Sequence, residues 1–468
     1  MKIFRAAVGG LTGILCAGFL QSCGGGGYNA GAGSMTPTSI SISLNPNSVI
    51  AGRSSTLMWS ASSSSMCMAS GAWSGSQSAS GTMPVTPISA GTETFTLTCS
   101  GGIYSSNSAS AMLTVTAASS ATVTELVSNL AGGTAMHMDT NLVNPWGLSI
   151  PVAPSTAPAW VSNNGTQTST LYDGSGVPQQ PGTPLIVNLA AGTGAMPFDP
   201  TGIVANSSST DFVVSSGGNS GSSAFIFAGA AGMIAGWSPG VDLTHAVTMY
   251  ADPSGAVYKG LAIAANSGAL FLYATDFHNN KIDVFNTAFV KQTTSATAFT
   301  FVDPSIPAGY APFGIQAITG SGVGGITQIY VTYAQQVAPG NLLNSTGAGL
   351  GYVDVYDSNG MLIKQLIAGG ALNAPWGLAL APMDFGTFSN ALLVGNFGDG
   401  KINAYDAAAG TPLGLLVDTN STAPGAPGLW GIAFGNDAHS QPHNTLFFAS
   451  GRNGGTDGVY GRIDLATP

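Results

Sequence analysis

Asp437, His439 and His443 bring together the side-chain types that hold divalent metals, in a chain of 468 residues with five histidines in all. Their spacing matches neither a helical ligand pair nor a zinc ribbon. Residues 435–444 read instead as a polar loop between strands, where such groups are simply solvated. His137, between Met136 and Met138 and ahead of Asp139, has soft-metal company but reads better as loop packing. Asp276, Asp283, Asp357, Asp399 and Asp406 could bind calcium, yet no loop carries the alternating acidic pattern closed by glycine that a helix–loop–helix calcium site requires. The stretches at 217–221 and 320–325 lack the Gly-x-Ser-x-Gly elbow of a serine nucleophile and read as turns. No catalytic residue and no metal site is therefore assigned, and calcium is the single cofactor left open.

A second constellation comes from a repeat. Gly147, Gly202, Gly260, Gly314, Gly377 and Gly431 recur at intervals of 54 to 63 residues, each followed by Leu or Ile, four preceded by an aromatic. Short β-type runs fill every interval, as in a radial β-repeat. In the fifth unit an inner strand follows the glycine (378–381), then a second apolar strand (391–395), a polar turn (396–400), a third strand (401–406) and an outer fourth (413–417). Other second strands are predicted at 160–162, 212–215, 270–274, 329–333 and 446–449. The last unit runs out one strand short. The unassigned run 123–127 can supply it, joining the two ends and removing the edges of an open sheet.

That arrangement puts the loops entering the inner strands and the turns between second and third strands on one face. Asn144, Trp146, Phe313, Trp376 and Trp430 then share a rim with Asn163, Asn164, Asp276, His278, Asn279, Asn396, Asp399, Arg452 and Asn453. Aromatics with amides and carboxylates around a shallow pit suit a neutral ligand such as a glycan or polymer end. The competing reading is structural: the aromatics wedge between neighbouring sheets, and Asn, Asp and Gly are what tight hairpins need.

Composition agrees with a β architecture. Charged residues make up 6% of the chain, and Glu93 and Glu125 are the only glutamates. Helix surfaces draw on Glu, Lys and Arg, so this chain is expected to be mostly sheet with Gly- and Ser-rich turns. Its 44% hydrophobic content is the opposite of a disordered composition. The net charge of −10 and the singly scattered Arg53, Lys259, Lys281, Lys291, Lys364, Lys401, Arg452 and Arg462 exclude a binder of nucleic-acid phosphates.

Lys2 and Arg5 precede an apolar stretch from Ala6 to Leu20, an export signal short for a membrane span. It closes on Leu20-Gln21-Ser22-Cys23, which resembles a bacterial lipobox. The resemblance implies lipidation of Cys23 and, with Gly24 following, sorting to the outer membrane or cell surface; periplasmic or secreted forms are the alternatives. Residues 1–23 are thus read as signal peptide, 24–36 as a flexible tether, 37–117 as a small antiparallel sandwich and 122–468 as the repeat domain. With Cys16 in the leader, only Cys67 and Cys99 remain in the mature body. In an oxidising compartment they read as one disulfide, the alternative being two buried thiols.

Leu57-x-Trp59, Cys67, Gly71 to Gly75, Gly91 and Phe95 to Cys99 resemble the Ig-like modules of bacterial surface proteins, which implies a spacer or adhesive unit. Leu126 to Leu130, Asp139, Asn141 to Ser149 and the repeated Trp-Gly-Leu/Ile motif resemble an uncharacterised family of exported bacterial NHL-like propeller proteins, which brings no established activity. The expected fold is all-β: a six-bladed β-propeller, NHL-like and closed by an N-terminal strand, behind an Ig-like β-sandwich. The expected protein is a lipid-anchored monomer of the cell envelope that meets the membrane only through its anchor and presents one propeller face to a glycan or protein ligand. One alternative is a metal-dependent propeller enzyme of lactonase or lyase type, for which this chain has few ligand residues. The other is a purely structural envelope protein.

Overall fold

The computed structural model describes residues 39–51, 54–62, 66–87, 90–101, 105–116, 120–151, 156–180, 184–189, 197–294, 298–320, 326–417 and 428–465. The expected signal peptide, Cys23 and the tether at 24–36 lie outside them. Within them the protein is all-β, its helical content confined to the 3₁₀ turns Gly386–Phe388 and Asn453–Gly455. The described residues fall into two compact units, those within Met1–Ser43, Met58–Thr82 and Thr94–Ala111, and those within Leu44–Leu57, Met83–Glu93 and Met112–Pro468.

The N-terminal strands form a three-stranded sheet, Ile40–Asn45, Ser55–Ala61 and Ser80–Val85, and a five-stranded one, ordered Ser48–Ile50, Ser105–Thr116, Gly91–Gly101, Met66–Gly71 and Gly75–Gln77. Cys67 lies directly opposite Cys99 in adjacent antiparallel strands, and the two form a disulfide. Trp59 packs edge-on against Trp73, centroids 5.0 Å apart. Their indole nitrogens donate to the Ser78 and Thr96 carbonyls.

From residue 121 onward the chain is a β-propeller. Its inner strands are Pro145–Ser149, Pro200–Ala205, Tyr258–Asn266, Tyr310–Ile318, Pro375–Leu380 and Leu429–Phe434, and each heads a sheet that is antiparallel except for the short parallel strand His137–Met138 at the edge of the last. Each inner strand contacts the next, and the last contacts the first, so the ring is closed. Apolar clusters lie between successive sheets: Ile203, Phe227 and Trp237 pack with Trp160 and Val187, for example. Burial on both faces explains why the second and third strands read as continuous apolar runs, such as the fully buried Ala391–Asn396.

The last sheet is built from both ends of this region. Ala121–Ser128 pairs antiparallel with Asp457–Leu465, Val127 opposite Tyr460 and Val123 opposite Ile463. The run 123–127 thus occupies the outer position for which the C-terminal unit lacks a strand.

Two details depart from the sequence reading. The run 212–215 is not the second strand of its sheet: Val213–Ser216 folds on Asn219–Ser222 as a separate hairpin, and Phe225–Gly229 takes the second position. The hairpin's exposed alternation Val213-Val214-Ser215-Ser216 leaves only Val214 fully buried on one face, whereas Phe225–Gly229 is buried throughout and fits between two sheets. The third sheet shows three strands, not four, among the described residues. There the chain turns at Asn286, whose side-chain oxygen accepts from Ala288 N and Val290 N, and the pairing continues only as an isolated bridge between Phe285 and Lys291, where Lys291 lies 3.0 and 2.6 Å from Asp252 and Asp283.

Candidate functional site

The recurring glycine is a point of close approach between neighbouring sheets. A methyl on Gly147 would overlap Thr201, on Gly202 would meet Leu261, on Gly260 Ile315, on Gly314 Trp376, on Gly377 Trp430 and on Gly431 Leu148. Six inner strands can converge around one axis only if each presents no side chain there.

The register between inner and second strand shifts at this motif in all six sheets, between Pro145 and Leu148 in the first and between Leu429 and Ile432 in the last. Such a bulge re-aims the side chain beside it. The residue before each glycine, Trp146, Thr201, Lys259, Phe313, Trp376 or Trp430, is therefore the one redirected. Second-strand hydroxyls satisfy the disturbed backbone: Gly260 N donates to Thr275 Oγ1 at 2.7 Å, and that hydroxyl donates to the Phe313 carbonyl of the next sheet at 2.8 Å.

Four of the redirected residues close this mouth of the ring. Trp146 and Trp430 stack with centroids 3.4 Å apart. Trp376 meets Trp430 edge-on at 5.8 Å, Phe313 lies 5.8 Å from the same ring, and Phe397 leans on it at 4.3 Å. Phe313 is fully buried, Trp430 and Trp146 nearly so, and Trp376 half-buried. The expected shallow pit is thus filled by the aromatics themselves. An open concavity lies at the other end of the inner strands, a cavity of about 500 Å³ lined by Leu148, Ile150, Ile263, Ile318 and Phe434 together with the polar Ser149, Gln316 and Thr319.

Lys259 sits in this aromatic mouth and was not among the rim residues expected from sequence. Its ammonium lies 5.0 Å from the centroid of Trp146, and the side chain is 7% exposed. Burial pulls it down from its ordinary value to about 8, with the charge of Asp199 opposing. The signal was present in the sequence: Lys259 stands at the motif position that holds an aromatic in four repeats.

The polar rim residues are largely engaged with their own loops. Asn163 is buried and donates to Thr168 and Thr170. Asp276 is buried and accepts from Val257 N, Asn279 N and Asn279 Nδ2. Asn396 donates to the Ala371 carbonyl and to Asp399, which is 3.4 Å from Lys401. Asn144 donates to Asn164, and Asn164 to the Pro200 carbonyl. Arg452 pairs with Glu125 at 2.6 Å, and Asn453 bonds Asp457. His278 is half-buried and Asn279 exposed. Asn144 and Asn453 adopt positive φ, 49° in both, a conformation asparagine tolerates in turns.

The aspartates weighed for calcium are dispersed. Asp283 accepts from Tyr258, Lys281 and Lys291, while Asp357 and Asp406 cap turns through backbone amides. In the 435–444 loop, His443 is held by Asp437 at 2.8 Å and Asp384 at 3.0 Å, on the surface. Among the described residues, no three His, Cys, Asp or Glu side chains are placed to hold a metal ion.

Fold and site together define a β-propeller with one mouth closed by aromatics and a buried lysine set against one of them, Trp146. Two relatives are similar to this chain in sequence over most of its length. Uncharacterized protein R648 of Acanthamoeba polyphaga mimivirus is 31% identical over 345 residues, 72% of this chain and 78% of its own. Uncharacterized protein L690 of the same virus is 30% identical over 350 residues, 70% and 82% respectively. The chain belongs to the family of these two proteins. No protein-family model matches it. Among solved structures, the nidogen/laminin complex contains a chain 13% identical, with a TM-score of 0.35 over 65% of this chain and 85% of that one. A gluconolactonase from Xanthomonas campestris is 12% identical, with a TM-score of 0.27 over 52% and 82%.

Proposed function

We propose that this is an exported, lipid-anchored envelope protein whose propeller binds a ligand, a glycan end or protein segment, at its aromatic mouth. The observation that carries the reading is that Trp146, Trp376 and Trp430 meet in one cluster with buried indole nitrogens that have no hydrogen-bond partner among the described residues. Trp376, the half-buried ring of the cluster, is the one a sugar or a peptide tip would stack on. The propeller is read as six-bladed and NHL-like, its last blade shared between the two ends, and the N-terminal sheets as an Ig-like spacer set on a tether behind lipidated Cys23. The anchor reading is supported by Lys2, Arg5 and the Leu20 to Cys23 ending.

Two measurements test it. Expressed with its leader in a bacterial host, the wild type should incorporate a clickable fatty acid and Cys23→Ser should not; unlabelled wild type overturns the anchor. Screened against oligosaccharides and cell-wall fragments, the purified protein should show a hit that Trp376→Ala weakens about tenfold. A hit insensitive to that change, or no hit, removes the mouth as the binding site.

A further inference from the structure

In all six repeats the second and third residues after the motif glycine, from Ser149-Ile150 in the first to Ala433-Phe434 in the last, line the open cavity of about 500 Å³. One step back along the strands, between the motif glycines and beside Trp376, the axis holds a second cavity of only about 20 Å³. Beyond it Trp146, Phe313, Trp376 and Trp430 close the ring. The larger cavity is therefore a funnel open at one end. Its volume is that of a pocket for one small molecule, and its closed end stops a chain from threading the ring.

The wall decides what such a molecule can be. No Asp, Glu, Lys, Arg or His is among the described residues that line it, so a charged group entering would lose its water and gain no counter-charge. The half-buried Leu148, Val204, Ile263, Leu380 and Phe434 line the funnel, and covering apolar side chains of this kind favours binding. Polar groups stand among them. Gln316 is exposed and Ser149 half-buried, and they lie on the fourth and first inner strands, across from each other in the ring of six. Both occupy the second place after the glycine, where the other four repeats have Ala or Val. Neither side chain is engaged by another described residue, whereas Thr319 at the rim shares a hydrogen bond with Thr327 at 3.0 Å. The inward edges of the inner strands, which no further strand pairs, add backbone donors and acceptors. Four repeats show that Ala or Val suffices to build the wall at this level. An amide and a hydroxyl left free there are what a pocket uses to orient a ligand.

We propose that this funnel is a second binding site, which takes one uncharged small molecule with a ring-sized apolar body and a hydrogen-bonding group held by Gln316 or Ser149. It lies at the opposite end of the inner strands from the aromatic mouth and stands or falls independently of it.

The test is titration of the full chain with N-phenylnaphthylamine, which is neutral and carries one N–H, and with anilinonaphthalene sulfonate, the same rings with an added negative charge. Both brighten in apolar surroundings. The neutral probe should bind saturably, one per chain, and at least about tenfold more tightly than the sulfonate. Gln316→Glu, a change at an exposed side chain, puts a carboxylate in the wall and should weaken the neutral probe about tenfold. Ala317→Trp fills the funnel from the same strand and should abolish binding; if that variant does not fold, Gln316→Glu alone decides. No saturable response to the neutral probe overturns the proposal. Equal affinity for the sulfonate overturns it, as does undiminished binding in either folded variant. Loss of the response in Trp376→Ala together with its retention in Gln316→Glu would put the probe at the aromatic mouth and overturn it as well.

Discussion

The indole of Trp146 lies face to face on that of Trp430, their planes 17° apart, so the first and last motifs of the chain are joined by one aromatic stack. The same two segments meet again where Gly431 abuts Leu148. Closure of the ring is therefore secured at its centre as well as at its rim, where Ala121–Ser128 pairs with Asp457–Leu465.

Trp430 touches Trp146, Trp376, Phe313 and Phe397, which makes it the keystone of the mouth. Trp430→Ala should cost about 3–5 kcal/mol, the range for removing a large buried ring, seen as a drop in Tm. An unchanged Tm would mean that the neighbouring rings carry the closure without it.

Gly314→Ala puts a methyl into the Trp376 carbonyl and should destabilise by about 3 kcal/mol, as overpacking against backbone does. Gly240→Ala, at an exposed glycine with open space around it, should change stability by no more than about 0.5 kcal/mol. Denaturant unfolding of the two variants side by side separates the close-approach role from a general glycine effect.

On the closing strand, Val127 is fully buried and Glu125 pairs with Arg452 near the surface. Val127→Asp should cost on the order of 4 kcal/mol by burying an unpaired charge. Glu125→Gln should cost about 0–1 kcal/mol, as partly exposed ion pairs do. Equal effects would mean that the strand is not packed as described.

His443 links two loops through Asp437 and Asp384. The hydrogen bond that the His443 ring donates to Asp437 raises His443 above its ordinary 6.5, with Asp384 adding to it, and the His443 backbone and ring hold Asp437 below its ordinary 3.8. A raised histidine contributes fully below the unfolded value of 6.5 and loses that contribution as pH climbs through the folded value. The depressed aspartate contributes above 3.8 and loses it as pH falls through its lowered folded value. The clip is therefore strongest between roughly pH 4 and 6.5. The Tm difference between wild type and His443→Gln should peak there and shrink toward pH 9; a difference that is flat with pH would refute the pairing.

Much of the strand order was legible, and each failure has a local cause. The second and third strands expected at 391–395 and 401–406 stand at Ala391–Asn396 and Ile402–Asp406. The run 212–215 was misplaced because Val213-Val214 has the apolarity of a second strand, and only the neighbouring sheets decide that Phe225–Gly229 fills the slot. Trp146, Phe313, Trp376 and Trp430 gather at one end of the ring, and the sequence marks Lys259 as their neighbour only by its place at the motif position that holds an aromatic in four repeats.

Periodicity is written in the sequence because each sheet must repeat the same glycine at the axis, the same apolar second strand and the same polar turn to fit its neighbours. The chain by itself therefore determined the repeat, the missing strand and the residues that would supply it. What the mouth holds was decided only in three dimensions. Trp146, Lys259, Trp376 and Trp430 are far apart in the chain, and it is the closing of the ring, with a bulge at each motif, that sets them in contact one after another. Whether an indole hydrogen or an ammonium finds an acceptor depends on the groups that close around it from other sheets, and that is a property of the packed ring.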